Sequence, residues 1–331
     1  MNGVAPLSAI QSEFTILYDH QHEANWFRKL HSDFKNAQEE SINNAKDWPC
    51  IAGVLAYDRP DIILLHRQVP ILVIEETVEV PSGHNVGQRF ARIAAAAEAG
   101  IPCVYFGPYV ARKHGGKTAG PRYMNLRLFH ALDAMIRITG TAVTTINWGV
   151  DQNCEVSRGY DKDNDMREYI RMFLDNYYKS NFSSLNQLIL RSSVHQRLLC
   201  ERNDFIETKI RKPDQYNSPP PSVEFMNISD FHSRFNQEIL VDNTLFPISE
   251  IVREIVLYSI GMNRIRSDPY TGMSILYKYL YVEGHSHRAL VLFFKNIKKS
   301  EWIDVNRNRK DIKIYTIAAD AIVFSDGIIT I

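Results

Sequence analysis

The 331-residue sequence lacks cysteine pairs. Cys50, Cys103, Cys154 and Cys200 stand about fifty residues apart, with no CxxC among them. That spacing argues against a zinc site or a disulfide framework; it suits buried free thiols in a reducing compartment, so a cytoplasmic location is expected. Apolar runs of the ~20 residues needed to cross a bilayer are also missing. The opening MNGVAPLSAIQSEF has no basic stretch followed by an apolar one, so no signal peptide is expected. Glycine (16) and proline (14) are too sparse for wholesale disorder. No internal repeat is visible. Net charge is absent too, since 38 basic residues balance 38 acidic ones. For a nucleic-acid ligand that balance counts against binding unless the positive charge is clustered.

It is clustered. Between His84 and Arg127 stand Arg89, Arg92, Arg112, Lys113, Lys117, Arg122 and Arg127, against the single acid Glu98. A second group comprises Lys295, Lys298, Lys299, Arg307, Arg309, Lys310 and Lys313. Either could be an ordinary solvated face.

At 45% hydrophobic and 23% charged, the composition is that of a globular protein, and the length suits more than one core. Trp26, Leu30, Phe34 and Ala37 are spaced for an amphipathic helix within 21–47. Strands are expected at 51–57, 61–66 and 69–80, with a tight turn at Arg67 and Gln68 between the last two. Val86, Phe90, Ile93 and Ala97 mark a helix that Gly100 closes. A strand at 101–107, a helix at 122–138 and a strand at 141–147 complete an α/β domain over residues 1–150. Its mixed central β-sheet is flanked by helices. Residues 151–221 read as a helical segment ending in a linker with prolines at 219–221. A smaller C-terminal α+β domain, 222–331, follows as a candidate for DNA recognition or dimerisation. It is expected to hold a helix at 248–260, a strand or helix at 275–282, and strands at 288–294, 311–317 and 320–331.

The chemistry concentrates in Pro60-Asp61 and Glu75-Glu76-Thr77. Phosphodiester hydrolysis assisted by a metal needs oxygen ligands that leave room for water and phosphate. Asp61 begins one strand and Glu75 ends its hairpin neighbour, so a short turn would bring them together. Strand alternation puts Glu75 and Thr77 on one face and Glu76 on the other. The competing reading makes Asp61 a turn residue and Glu75 a strand-end carboxylate.

These residues, with the order of helices and strands over 20–147, resemble the PD-(D/E)XK nuclease superfamily, which includes most type II restriction endonucleases. The resemblance implies a restriction endonuclease-like core with Asp61 and Glu75 as ligands for Mg²⁺. It further implies a homodimer acting on double-stranded DNA. Thr77 stands where the family carries lysine, so it could position a water but supply no positive charge. The segment SGHNVGQRFAR resembles the helix start of variant members, which makes Gln88 a candidate catalytic residue beside Asp61, Glu75 and Thr77. Arg89, Arg92, Arg112, Lys113, Lys117 and Arg122 are the candidate DNA contacts. A repair or junction-resolving nuclease, or a DNA-binding module without activity, would use the same features.

Three other motifs are weaker. Lys113–Lys117 could track a DNA backbone or be a plain surface loop. Its Gly-Gly-Lys-Thr lacks the first glycine of a phosphate loop, because Ala111 stands there. Arg266–Met273 reads as a helix cap or a recognition element. His285 and His287 have no third ligand nearby in sequence, so an exposed loop is expected.

Overall fold

Apolar residues fill almost every position between Ile62 and Ile74; of the interrupting His66, Arg67 and Gln68, the last two adopt positive φ (49° and 67°). Two successive left-handed residues make the tight turn whose twist matches an antiparallel pair. In the computed structural model of the chain they close a hairpin. The described residues are 13–112, 120–156, 162–180, 182–235, 251–265, 270–305 and 309–331.

The first half opens with β1 (Phe14–Tyr18), α1 (Gln21–Phe27), β2 (Gln38–Ser41) and α2 (Ile42–Ala45). The hairpin is β3 (Ile62–His66) and β4 (Val69–Glu76). Then come α3 (Asn85–Glu98), β5 (Cys103–Gly107), the short pair β6 (Val110–Ala111) and β7 (Arg122–Tyr123), α4 (Leu126–Thr139) and β8 (Val143–Asn147). The main sheet has the order β2-β1-β3-β4-β5-β8. β3 runs antiparallel to both of its neighbours, β1 and β4, while β4, β5 and β8 run parallel. Three helices follow: α5 (Asn164–Lys179), α6 (Phe182–Arg191) and α7 (Ser193–Lys209).

The second half holds β9 (Val223–Asn227), α8 (Ile228–Phe235), β10 (Glu254–Ile260), α9 (Tyr270–Tyr281) and β11 (Arg288–Phe294). It ends with α10 (Lys299–Asp304), α11 (Lys310–Ala318), β12 (Ala321–Phe324) and β13 (Gly327–Thr330). Its sheet has the order β13-β12-β11-β10-β9, with the three central strands parallel and both edges antiparallel.

The chain is thus a mixed α/β protein built on mixed sheets. One apolar cluster joins the first sheet's Ile63, Val73 and Tyr105 to α3 and α4, and runs through α9 and α11 to Tyr258, Leu290 and Phe294 of the second sheet. The other face of the first sheet packs on α1 and α5–α7 through Trp26, Tyr169 and Phe173. α8 covers the outer face of the second sheet with Phe231 and Phe235. The proline segment lies against α4, where Arg127 donates to the Ser218 carbonyl at 3.0 Å and rests on the Tyr216 ring.

Several expected elements are replaced. The helix expected within 21–47 breaks into α1, a 3₁₀ turn, β2 and α2. Residues 51–57 form no strand: Ile51 and Val54 bury themselves from a 3₁₀ turn and its continuation, and β1 takes the third place in the meander. Residues 254–260 form β10 rather than a helix, because a run that is apolar on both sides fits a strand covered on both faces. Residues 311–317 lie in α11 rather than a strand. Of the four cysteines, all free, only Cys103 is buried. Lys113, Lys117, Arg266 and Arg307 lie outside the described residues.

Candidate active site

Antiparallel register fixes the centre of the site. Ile62 pairs with Ile74, so the next step outward sets Asp61 opposite Glu75. Ile63 and Val73 face α3, and alternation carries Asp61 and Glu75 to that same side. In the parallel direction Glu75 pairs with Tyr105, and Tyr105 with Thr145. A row of polar side chains thus crosses an otherwise aliphatic sheet.

α3 supplies the counter-charge. Arg89 and Arg92, one turn apart, both reach back to the acids. Arg89 forms an ion pair with Glu75 Oε1. Arg92 Nη1 lies 3.1 Å from Glu75 Oε1 and 3.4 Å from Asp61 Oδ1, and its Nε is 3.0 Å from Asp58. The second Asp61 oxygen accepts the Glu76 backbone amide at 2.5 Å. Glu75 is fully buried, and its Oε2 has no partner among the described residues; neither has the buried Tyr105 hydroxyl. An unsatisfied buried oxygen costs about 1–3 kcal/mol, so both mark a place prepared for a further polar group.

A third acid, which the sequence reading did not pick out, belongs here. Glu23 on α1 is buried; its charge is felt by Asp61, and it in turn feels Glu75. Burial pushes Glu23 up to about 7 against its bond from the His20 amide, and Asp19 and Glu75 add to the rise. Burial, then Glu23, pushes Asp61 up to about 6. Burial, then Asp61, pushes Glu75 up to about 8 despite the two arginines. Burial works against the charge of Arg92, but Glu75, Asp58 and Asp61 outweigh it and raise its pKa.

Arg89 and Arg92 were expected to face DNA. Instead both turn inward, because α3 is covered by the sheet on one side and α9 on the other. Thr77 is buried, with its hydroxyl bonded to the backbone of Glu79 and no hydrogen bond to either acid. Gln88 sits at the crossing of α3 with α9, where its backbone amide faces Gly272, and its side chain makes no hydrogen bond to the acids. Arg112 is exposed, and Arg122 donates to Ser82 at 2.8 Å, beside the loop entering α3.

The donor set suits a hard divalent cation. It offers carboxylate oxygens, one of them unpartnered, and acids outnumber the arginines that meet them. Among the described residues no group of three or more acid, histidine or cysteine side chains is already gathered at chelating distance. His285 and His287, with ring centroids 5.8 Å apart, are no exception. A cavity of about 470 Å³ lies elsewhere, between β8 and α7. Its polar groups pair with one another: His195 meets Thr144 at 2.9 Å and Arg202 meets Asp133 at 2.9 Å. Burial lowers His195 to about 4, so it sits there neutral.

No helix among the described residues is long and apolar enough to cross a membrane. Comparison with family models, curated proteins and solved structures finds no match for this chain.

Proposed function

We propose that this protein is a metal-dependent endonuclease of the PD-(D/E)XK type acting on double-stranded DNA, with a type II restriction enzyme as its specific form. One observation carries the reading. Asp61 and Glu75 come from paired neighbouring strands, lie opposite each other on one face, and reach the same arginine nitrogen. The meander β1–β3–β4 followed by a crossover helix and a parallel strand supports the same reading.

Asp61 and Glu75 would hold Mg²⁺, with Glu23 close enough to add a third carboxylate charge. When bound, the ion supplies Lewis-acid stabilisation of the phosphate and makes water a better nucleophile. The chain's own residues do the rest. Arg89 and Arg92 balance the acids before substrate arrives and lie beside the developing phosphate charge. They take over the electrostatic part that a lysine at position 77 would have played. Tyr105 offers a free hydroxyl within the same row. Arg112 and Arg122, at the same end of the sheet, suit backbone phosphates.

Plasmid cleavage tests this directly. Supercoiled DNA with Mg²⁺ is expected to be cut by the wild type and at least about a hundredfold more slowly by Asp61→Asn or Glu75→Gln. Cutting at fixed sites marks a restriction enzyme, and cutting at branched structures marks a repair or junction nuclease. Tight binding with no cutting under any divalent cation would reject the enzyme and leave a binding module.

A further inference from the structure

The second half of the chain repeats the first. β3–β4–α3–β5–α4–β8 and β9–β10–α9–β11–α11–β12 share one plan: an antiparallel pair, a crossover helix, a parallel strand, a second helix and a second parallel strand. Among the described residues the latter adds α8 and α10, the former adds the short β6–β7 pair, and the strands stand in the same spatial order. The connection after the crossover helix corresponds as well: 99–102 with 282–287.

The two crossover helices lie parallel and touch reciprocally. The His84 and Tyr270 rings meet at a tilt of 44° at the helices' N-terminal ends, with centroids 4.2 Å apart, and Glu98 accepts from the Tyr279 hydroxyl at 2.7 Å towards the other end. Gly87 and Gly272 are each the third residue of their helix. A Cβ on Gly87 would fall 2.5 Å from Gly272, and a Cβ on Gly272 would fall 2.4 Å from Gly87. Equivalent residues meeting across parallel helices is the contact made around a two-fold axis.

Matching Gly87 to Gly272 sets Glu75 on Ile260, and register agrees: Glu75 pairs with Tyr105, and Ile260 pairs with Phe294. The next strand sets Thr145 on Phe324. Arg89 falls on Ser274 and Arg92 on Tyr277. The polar row of the first half is therefore Ile260, Phe294 and Phe324 in the second, all buried. Among the described residues, these three positions offer no oxygen or nitrogen side chain to hold a cation.

That end of the second sheet carries bases instead. β10 leads to Arg264, and β11 leads to Lys295, Lys298 and Lys299. Arg264, Lys295 and Lys298 are exposed. The acids beside them, Glu301 and Asp326, bond the backbone amides of Lys298 and Lys299. Because α3 and α9 are parallel, the strand ends leading into them open at one end of the molecule, as do Arg112 and Arg122 of the first half.

We infer that the second half is a non-catalytic counterpart of the first, which docks the phosphate backbone of the same DNA duplex through Arg264, Lys295 and Lys298. A single chain then holds its substrate with both halves and cuts one strand per encounter. This rests on the nuclease reading for the cutting step, but the docking step stands apart from it.

The test uses the full chain, a fluorescein-labelled duplex oligonucleotide, and Ca²⁺ in place of Mg²⁺. Sedimentation is expected to find one chain per duplex. The Arg264→Ala/Lys295→Ala/Lys298→Ala variant is expected to bind about tenfold or more weakly, with a salt slope smaller by about 2–3. Lys295→Arg/Lys298→Arg, which keeps the charge, is expected to bind like wild type, which separates charge from folding. With Mg²⁺, nicked circles are expected to accumulate before linear plasmid. Unchanged affinity in the triple-alanine variant, or two chains per duplex with linear product and no nicked stage, would overturn the inference while leaving the nuclease intact. Docking as described with no cutting would overturn the nuclease reading alone. Absence of any duplex binding overturns both.

Discussion

Glu75 is surrounded by charge of both signs, yet one of its oxygens bonds to nothing among the described residues. Burial, and then the neighbouring Asp61, raise its affinity for protons, and with Glu23 and Asp61 it titrates between about 6 and about 8 rather than near 4. The folded state therefore holds more protons than the unfolded one across that interval. Without metal, stability from these acids is complete below about pH 4 and is lost as the pH climbs through 8. We expect the metal-free melting temperature to be about 5 °C lower at pH 8.5 than at pH 5.5. Mg²⁺ should restore most of that loss at pH 8.5 and do little at pH 5.5, because protons and cation compete for the same oxygens. Differential scanning fluorimetry at the two pH values decides it, and a melting temperature that rises with pH contradicts the assignment. Asp61 and Glu75 were legible from sequence because a hairpin with period-two alternation leaves few alternatives. Glu23 was not. It belongs to a seven-residue helix that the apolar spacing had merged into a longer one, and only the tertiary fold brings it to the hairpin. The inward turn of Arg89 and Arg92 was hidden for a related reason: apolar spacing marks one buried face of α3, and here both sides are covered.

α3 and α9 approach as closely as two helices can, since backbone rather than side chains forms their contact at Gly87 and Gly272. A methyl at Gly87 would lie 2.3 Å from the Met273 amide nitrogen, and no rotamer relieves a clash with backbone. Gly87→Ala and Gly272→Ala are each expected to cost about 3 kcal/mol. Gly261→Ala, which meets open space, should stay within about 0.5 kcal/mol of wild type. Urea titration reads the difference, and equal stability for Gly87→Ala and Gly261→Ala would refute the crossing. At this scale the sequence spoke unevenly. β4, α3, β5 and β8 were legible because aliphatic runs alternated with a helical stripe and clear breakers. β10 and α11 exchanged identities because short apolar runs fit either period. The close crossing left no trace beyond two glycines, and a lone glycine in a helix has many explanations.

At the scale of the molecule, one apolar cluster runs from Ile63 on the first sheet to Phe324 on the second. Neither sheet has a complete core of its own on that side. Heating should therefore give a single calorimetric transition, with calorimetric and van't Hoff enthalpies in a ratio of about 1. Two resolved transitions would mean that the halves are independently stable. The internal repeat was invisible in the sequence because only topology and register preserve it. Glu75 against Ile260, or Arg92 against Tyr277, share no side-chain chemistry.

The pairing of α3 with α9 also dictates an order of events during synthesis. When the ribosome has delivered the first sheet, the side of α3 that turns towards α9 still has no cover, because Tyr279, which packs edge-on against Phe90 at 5.3 Å, is made almost two hundred residues later. For that interval the nascent chain presents one greasy side of this helix to solvent, the kind of surface that draws chaperones and promotes aggregation.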